Sequence, residues 1–192
     1  MAKRLLILVD VQKDFDKGGV LPYGYPEESN TGDVVGEAIK WKYQKQNNIL
    51  WLTKDTHDEN YSETLEGKLL PVPHCIKGTD GWKFVDEDVA QPQPPSFTLS
   101  RMADKVILKR TFGTFEIVQQ IKNLEDDSCE FVDEIILCGY DLSICVLSNA
   151  VILRAAFPNK RIVVLKDACG DVNKESFDAA LTVLKNQQIE IV

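Results

Sequence analysis

Short apolar runs recur along this chain, separated by stretches whose apolar residues are spaced for helices. Leu5–Asp10, Ile49–Thr53, Lys105–Lys109, Val132–Gly139 and Arg161–Lys166 read as buried strands, with Ile189–Val192 as a short sixth. Between them, Asp33–Lys45 has an amphipathic pattern built on Val34, Val35, Ala38, Ile39 and Trp41. Helices are also predicted from about Thr114 to Leu124, over Ser143–Ala156 and over Lys174–Asn186. The Ser143–Ala156 segment is apolar nearly all round, which predicts deep burial. Strands this uniformly apolar, alternating with helices, belong to a parallel sheet covered on both faces. The predicted fold class is α/β, a three-layer α/β/α sandwich with a mostly parallel sheet. One domain is expected over residues 1–192.

One stretch breaks the alternation. Lys54–Ser100 has no clear periodicity and holds both histidines, Trp82 and five of the eight prolines. A loop of this length is usually functional or disordered. Its content of His, Trp and Pro predicts an ordered, site-forming loop, with Gln91–Pro95 as a stiff extended piece on its surface.

Composition narrows the function classes. The net charge is −8 and the pI near 4.8, which removes the basic face a nucleic-acid binder needs. No apolar stretch approaches the ~20 residues of a membrane span. Lys3-Arg4 is followed by only five apolar residues before Asp10, too few for a secretory leader. The five cysteines, Cys75, Cys129, Cys138, Cys145 and Cys169, form no C-x-x-C pair. Reduced thiols in a cytoplasmic protein are therefore expected.

The candidate chemistry lies at the strand ends. Cys145 sits in Gly139-Tyr-Asp-Leu-Ser-Ile-Cys145-Val, between an apolar strand and an apolar helix. Amide groups and the dipole at a helix N-terminus favour a thiolate, so a thiol pKa below the free value of ~8.5 is expected. Asp10 closes the first strand and Lys109 the third, which makes an acid, a lysine and a cysteine a plausible catalytic set. Asp55-Thr-His57 follows the second strand, and His74 lies seventeen residues beyond His57. Two imidazoles and a carboxylate suit one divalent metal ion, Zn²⁺ first, with Mn²⁺ or Fe²⁺ as alternatives. Glu66 is a candidate fourth ligand.

These residues resemble the isochorismatase-like cysteine hydrolases, and among them the nicotinamidases. Val9-Asp10-Val-Gln12-Lys-Asp14-Phe15 is similar to a D-x-Q-x-D-F opening, and Asp55-Thr-His57 to a D-x-H metal motif. Pro71-Val-Pro-His74-Cys75-Ile-Lys-Gly78-Thr79-Asp-Gly81 is similar to the segment that carries the second metal histidine. Lys109-Arg-Thr-Phe-Gly-Thr114-Phe115 and Gly139–Val146 resemble the lysine motif and the nucleophile turn. The resemblance implies that Cys145 attacks an amide carbonyl, Asp10 carries the proton and Lys109 stabilises the charged forms. It also implies an oxyanion hole from the backbone N–H groups of Asp141 and Cys145, with a cis peptide between Tyr140 and Asp141. Phe15 and Tyr140 are the implied substrate contacts. The implied partner is a small-molecule amide, nicotinamide first, with the metal orienting the substrate. A related hydrolase acting on another small amide or a carbamoyl compound is the alternative. A homo-oligomer is compatible with the reading.

Three departures bear on substrate. Leu142-Ser143 replaces the Thr-Asp usual before the cysteine. Asp141 replaces a small or apolar residue, and its carboxylate is expected to point away or to pair with a cation. Pro71 or Leu70 stands where nicotinamidases carry an aromatic residue. A flavodoxin-like ligand-binding scaffold would need a glycine-rich turn after the first strand, and Asp10–Phe15 has no glycine.

Overall fold

The computed structural model describes residues 3–27, 31–45, 47–87, 98–128 and 131–192. Gln91–Pro95 and Cys129 lie outside the described residues. Six strands form one sheet: β1 (Lys3–Val9), β2 (Asn48–Asp55), β3 (Lys105–Lys109), β4 (Val132–Gly139), β5 (Arg161–Cys169) and β6 (Glu190–Ile191). Their order is β3-β2-β1-β4-β5-β6, and every adjacent pair is parallel. The helices are α1 (Thr31–Gln44), α2 (Leu65–Leu69), α3 (Leu99–Met102), α4 (Glu116–Ser128), α5 (Leu147–Ala156) and α6 (Lys174–Asn186). On one face α1 and α3 pack on each other and on β2. On the other, α5 packs between α4 and α6 and touches β5. Both sets of alternating β1 side chains are therefore buried, Leu5, Ile7 and Val9 on one face and Leu6 and Leu8 on the other. This is why the strand shows no polar alternation.

The strand order places a switch point beside β1. From β1 the chain runs outward through β2 and β3, then returns to β4 on the other side of β1 and runs outward again. The connections after β1 and β4 diverge there, opening a crevice at the carboxyl edge of the sheet.

Two predicted boundaries differ in an informative way. Lys166 and Asp167 look like the end of a strand, but β5 continues to Cys169. Pairing with β4 passes through an irregularity after Leu137 and resumes at Gly139 and Cys169. The predicted helix over Ser143–Ala156 begins instead as a π-helical turn, Leu142–Val146, and only then becomes α5. The Asp141 carbonyl accepts from both the Ile144 amide at 3.2 Å and the Val146 amide at 3.0 Å. That wide first turn carries Cys145. Among the described residues no helix is long and apolar enough to cross a membrane.

Gly139 is where β4 passes closest to the end of β1. Its φ is +123°, and a Cβ there would lie 2.1 Å from the Val9 carbonyl oxygen. The same carbonyl accepts the Tyr140 amide at 2.9 Å. Gly139→Ala should cost at least ~2 kcal/mol in urea unfolding. Gly36→Ala, in α1 with nothing within 4 Å of the new methyl, should instead add ~0.5–1 kcal/mol. An unchanged midpoint for Gly139→Ala would show that the contact with Val9 relaxes freely.

Candidate active site

Four adjacent strands deliver polar side chains to the crevice. Asp10 follows β1, Asp55 ends β2, Lys109 ends β3 and Cys145 follows β4. The centre of the group is the Lys109 ammonium. Its Nζ is 2.6 Å from Asp10 Oδ2, 3.2 Å from Asp55 Oδ1 and 3.5 Å from Cys145 Sγ, and it donates to the Thr111 carbonyl at 3.1 Å. The Asp10 and Lys109 side chains are fully buried.

Each member is held by its own local structure. Thr53, on β2, donates through Oγ1 to Asp10 Oδ1 at 2.7 Å and accepts the Asp10 amide at 3.2 Å. Gln12 clamps the end of β2: its Oε1 accepts the Asp55 amide, and its Nε2 donates to the carbonyls of Asp55 and Trp82. Asn149 sits one turn beyond the thiol in α5. It accepts the Thr114 amide at 3.0 Å and donates to the Cys145 carbonyl at 2.8 Å. The turn itself hangs from the end of β5, because Asp171 accepts the Ser143 amide at 2.7 Å and its hydroxyl at 2.8 Å. Ser143 thus has a structural use in the Leu142-Ser143 departure, while Leu142 is buried in the core. The Tyr140–Asp141 peptide is cis.

A second cluster adjoins the first through Asp55. While Oδ1 meets Lys109, Oδ2 lies 3.1 Å from His57 Nε2 and 3.5 Å from His74 Nε2. Glu66 Oε1 is 3.6 Å from His57 Nε2 and 3.7 Å from His74 Nε2. Ligand atoms bound at 2.0–2.1 Å to a tetrahedral ion stand ~3.4 Å apart, so this set fits one divalent metal. The separations to Glu66 exceed a hydrogen bond, which suits a shared ion better than direct pairing. His74 Nδ1 lies 2.8 Å from the Val72 carbonyl, which fixes the proton there and leaves Nε2 bare for a ligand role. The loop that brings His74 in is pinned twice. Asp14 accepts the Cys75 amide at 2.7 Å, and His57 exchanges backbone bonds with Cys75 and Lys77. Thr64 caps α2 by accepting the Gly67 amide, which sets the position of Glu66.

Aromatic rings line this region. Phe15 lies 5.7 Å from the His74 ring. Tyr61 meets both imidazoles edge-on, at 4.7 Å and 5.1 Å, and donates its hydroxyl to the Leu70 carbonyl. Trp82 lies under the Lys54 ammonium at 3.7 Å and donates to Thr56. The Tyr140 ring is fully buried, stacked on Tyr23 at 4.7 Å and against Gly170. A cavity of about 410 Å³ opens beside the imidazoles, lined by His57 and Glu66 with Leu65, Leu69, Thr111 and Phe112.

The charges are strongly coupled. Burial raises the Asp10 carboxyl above its ordinary range, with Lys109 opposing and Asp55 adding. Burial works against the Lys109 charge, but Asp10, then Cys145 and Asp55, hold its ammonium well above the usual lysine value. Asp55 is buried too, yet Lys109, His57 and His74 keep its carboxyl well below the carboxylate range. The Cys145 thiol departs from expectation. It is only 5% exposed, and burial pushes its pKa well above the ordinary value, with Lys109 opposing and Asp10 and Asp55 adding. Enclosure outweighs the helix N-terminus, so the resting thiol keeps its proton. Asp141 forms no ion pair among the described residues. Its Oδ1 is buried without a hydrogen bond, and burial with Asp171 and Asp10 raises its carboxyl to about 7.

The geometry brings Asp10, Lys109 and Cys145 together, and likewise Asp55, His57, His74 and Glu66. Sequence reasoning missed Thr53, Tyr61, Asn149 and Asp171. Asn149 carried a signal, as a polar residue inside an otherwise apolar helix. Thr53 and Asp171 are ordinary strand-end residues whose partners are remote in sequence. Such a site can pass a proton between a thiol and a carboxyl beside a fixed ammonium.

Similarity to known proteins agrees with this architecture. A nicotinamidase of Escherichia coli (strain K12) is 25% identical over 197 residues, covering 94% of this chain and 89% of the relative. The nicotinamidase/pyrazinamidase of Bacillus subtilis superposes with a TM-score of 0.77 at 24% identity, over 99% of each chain. A pyrazinamidase of Pyrococcus horikoshii, solved in complex with zinc, superposes with a TM-score of 0.74 at 24% identity, over 99% of this chain and 98% of that one. The family model described as the isochorismatase domain matches residues 4–192. With nearly its whole length matched and the parallel sheet in place, the chain belongs to the isochorismatase domain family.

Proposed function

We propose that this protein is a metal-containing cysteine amidohydrolase of the nicotinamidase type. It hydrolyses a small primary amide, nicotinamide first, to its acid and ammonia. The observation that carries the reading is the Lys109 ammonium. It touches Asp10 and Cys145 on one side and, through Asp55, joins them to the imidazole pair on the other. The curated nicotinamidase relative and the zinc complex of the pyrazinamidase neighbour support it.

In this reading Cys145 Sγ attacks the amide carbonyl while its proton passes to Asp10. The raised carboxyl of Asp10 makes it a competent acceptor, and Lys109 holds the charges of both partners. The tetrahedral oxyanion is met by the backbone N–H groups of Asp141 and Cys145. Collapse breaks the C–N bond, and Asp10 returns the proton to departing ammonia. Water then adds to the thioester, giving its proton to Asp10, and the acid leaves as the thiol is restored. Asp55, His57, His74 and Glu66 would hold one divalent cation, with zinc favoured by the two imidazoles. When bound, the cation supplies a Lewis-acid position for a substrate ring nitrogen. Phe15 forms one wall of the substrate space, and the buried Tyr140 backs the turn that carries the oxyanion hole. A different small amide or a carbamoyl compound is the second reading, favoured by the carboxyl of Asp141 beside the nucleophile turn.

Cys145→Ala should lower amide turnover by at least ~10³-fold while leaving melting and metal content intact. Near-normal turnover in that variant would end the covalent mechanism. Elemental analysis of protein purified without chelator should find one divalent metal per chain, and His74→Ala should lose it. A metal-free wild type that stays fully active in chelator would leave only the wider cysteine-hydrolase reading. Nicotinamide should be preferred over benzamide by ~10-fold or more in kcat/KM, because benzamide leaves the metal position unfilled. Equal rates on the two would favour the second reading.

A further inference from the structure

Asp10 leaves β1 in a conformation that few residues adopt. The ladder between β1 and β2 ends at Leu8 and Leu52, and Asp10 follows with φ +51°. A non-glycine residue keeps that left-handed conformation only where its surroundings enforce it. Two neighbours do so here. The Asp10 carbonyl accepts the Gln12 amide at 2.7 Å. Thr53, one residue further along β2, acts through its hydroxyl: Oγ1 accepts the Asp10 amide at 3.2 Å and donates to Asp10 Oδ1 at 2.7 Å. Asp10 and Thr53 are both fully buried, so bulk water does not compete for either bond.

The two oxygens of the Asp10 carboxyl are therefore unlike. A hydroxyl has one proton to donate, and that of Thr53 is committed to Oδ1. Oδ2 lies 2.6 Å from the Lys109 ammonium but accepts no aligned hydrogen bond from the described residues. The same ammonium is 3.5 Å from Cys145 Sγ. Oδ2 thus has the unused acceptor position, and it shares its nearest neighbour with the sulfur.

We propose that Thr53 is a positioning residue that fixes which oxygen of Asp10 carries the proton. With Oδ1 held as the acceptor of the Thr53 hydroxyl, the proton taken from Cys145 goes to Oδ2, beside Lys109. The new O–H bond at Oδ2 then breaks as the C–N bond does. Its proton goes to the departing nitrogen, which keeps the electron pair of the C–N bond and leaves as ammonia. Oδ1 stays hydrogen-bonded throughout, and Thr53 neither gains nor loses a proton. Without that hydroxyl the carboxyl is free to turn about its last torsion, which is broad and two-fold, and the proton has two oxygens to choose from. The proposal rests on the amidohydrolase reading.

Thr53→Val keeps the branched shape and the strand preference but removes both bonds, whereas Thr53→Ser keeps the hydroxyl. Each variant is assayed on the best amide of a panel that includes nicotinamide. It is also assayed on the p-nitrophenyl ester of the same acid, whose leaving group departs without a proton. Melting and metal content are measured alongside. Thr53→Val should lower kcat on the amide by ~10- to 100-fold, with KM within ~3-fold of the wild type. Its amide-to-ester rate ratio should fall by ~5-fold or more, because only the amide needs Asp10 to return the proton. Thr53→Ser should recover kcat to within ~5-fold. If the valine variant does not fold, Thr53→Ala takes its place. A wild-type kcat without the hydroxyl would overturn the proposal, and so would a folded serine variant as slow as the valine one. So would an equal fall on amide and ester, which is what a purely structural role gives. If the wild type hydrolyses no amide of the panel, the amidohydrolase reading falls and this inference with it. Amide hydrolysis with the same amide-to-ester ratio in every variant removes this inference alone.

Discussion

The buried ammonium of Lys109 is the interaction on which the site depends. Two buried carboxylates, Asp10 and Asp55, share the one ammonium, and Asp55 raises the cost of ionising Asp10. Removing such groups from water costs several kcal/mol per ion unless they are paired and hydrogen-bonded. Lys109 offsets this for both at once, with Nζ at 2.6 Å and 3.2 Å from the two carboxylates. Thr53 and the Thr111 carbonyl take up further hydrogen bonds around the three charges. The arrangement commits the two oxygens of Asp55 to different partners, one to the ammonium and one to the imidazoles. The Lys109 cluster and the imidazole pair are thereby joined through a single side chain.

The sheet makes that arrangement possible. Parallel strands all present their carboxyl ends to the same edge, so residues closing β1, β2 and β3 meet without any long-range coincidence. The thiol needs more. It comes after β4 on a wide π-helical turn, fastened by Asp171 from the end of β5 and by Asn149 from within α5. Asn149 also binds the Thr114 amide, so the loop after Lys109 and the turn of Cys145 are held to one another. Positioning of the sulfur against the ammonium is thus shared by β3, β5 and α5. The loop that carries His74 is fixed in the same manner. Asp14 and Gln12, just after β1, hold the Cys75 amide and the end of β2.

Much of this was legible in the chain. Strands buried on both faces need uninterrupted apolar runs, and a polar residue that closes such a run must face the carboxyl edge. Asp10, Asp55 and Lys109 stand out on that ground alone, and Cys145 by its place between an apolar strand and an apolar helix. The two histidines share one aperiodic loop directly after β2. The fold class followed from the same alternation, and the six strands fall within a few residues of their expected bounds.

What the tertiary structure decided depends on distance through space and on exclusion of water. The position of Cys145 suggested a depressed pKa, but burial raises it. Asp141 has a buried carboxyl oxygen without a hydrogen bond, and burial raises its carboxyl to about 7. Tyr61 stands against both imidazoles from a short helical turn that no periodicity announced. Asp171 supports Ser143 from 28 residues away. The sequence determined which residues arrive at the carboxyl edge, because burial and chain direction are written in local pattern. Only the folded structure determined which of them are charged, paired or left wanting a partner, because desolvation and contact belong to the assembled crevice.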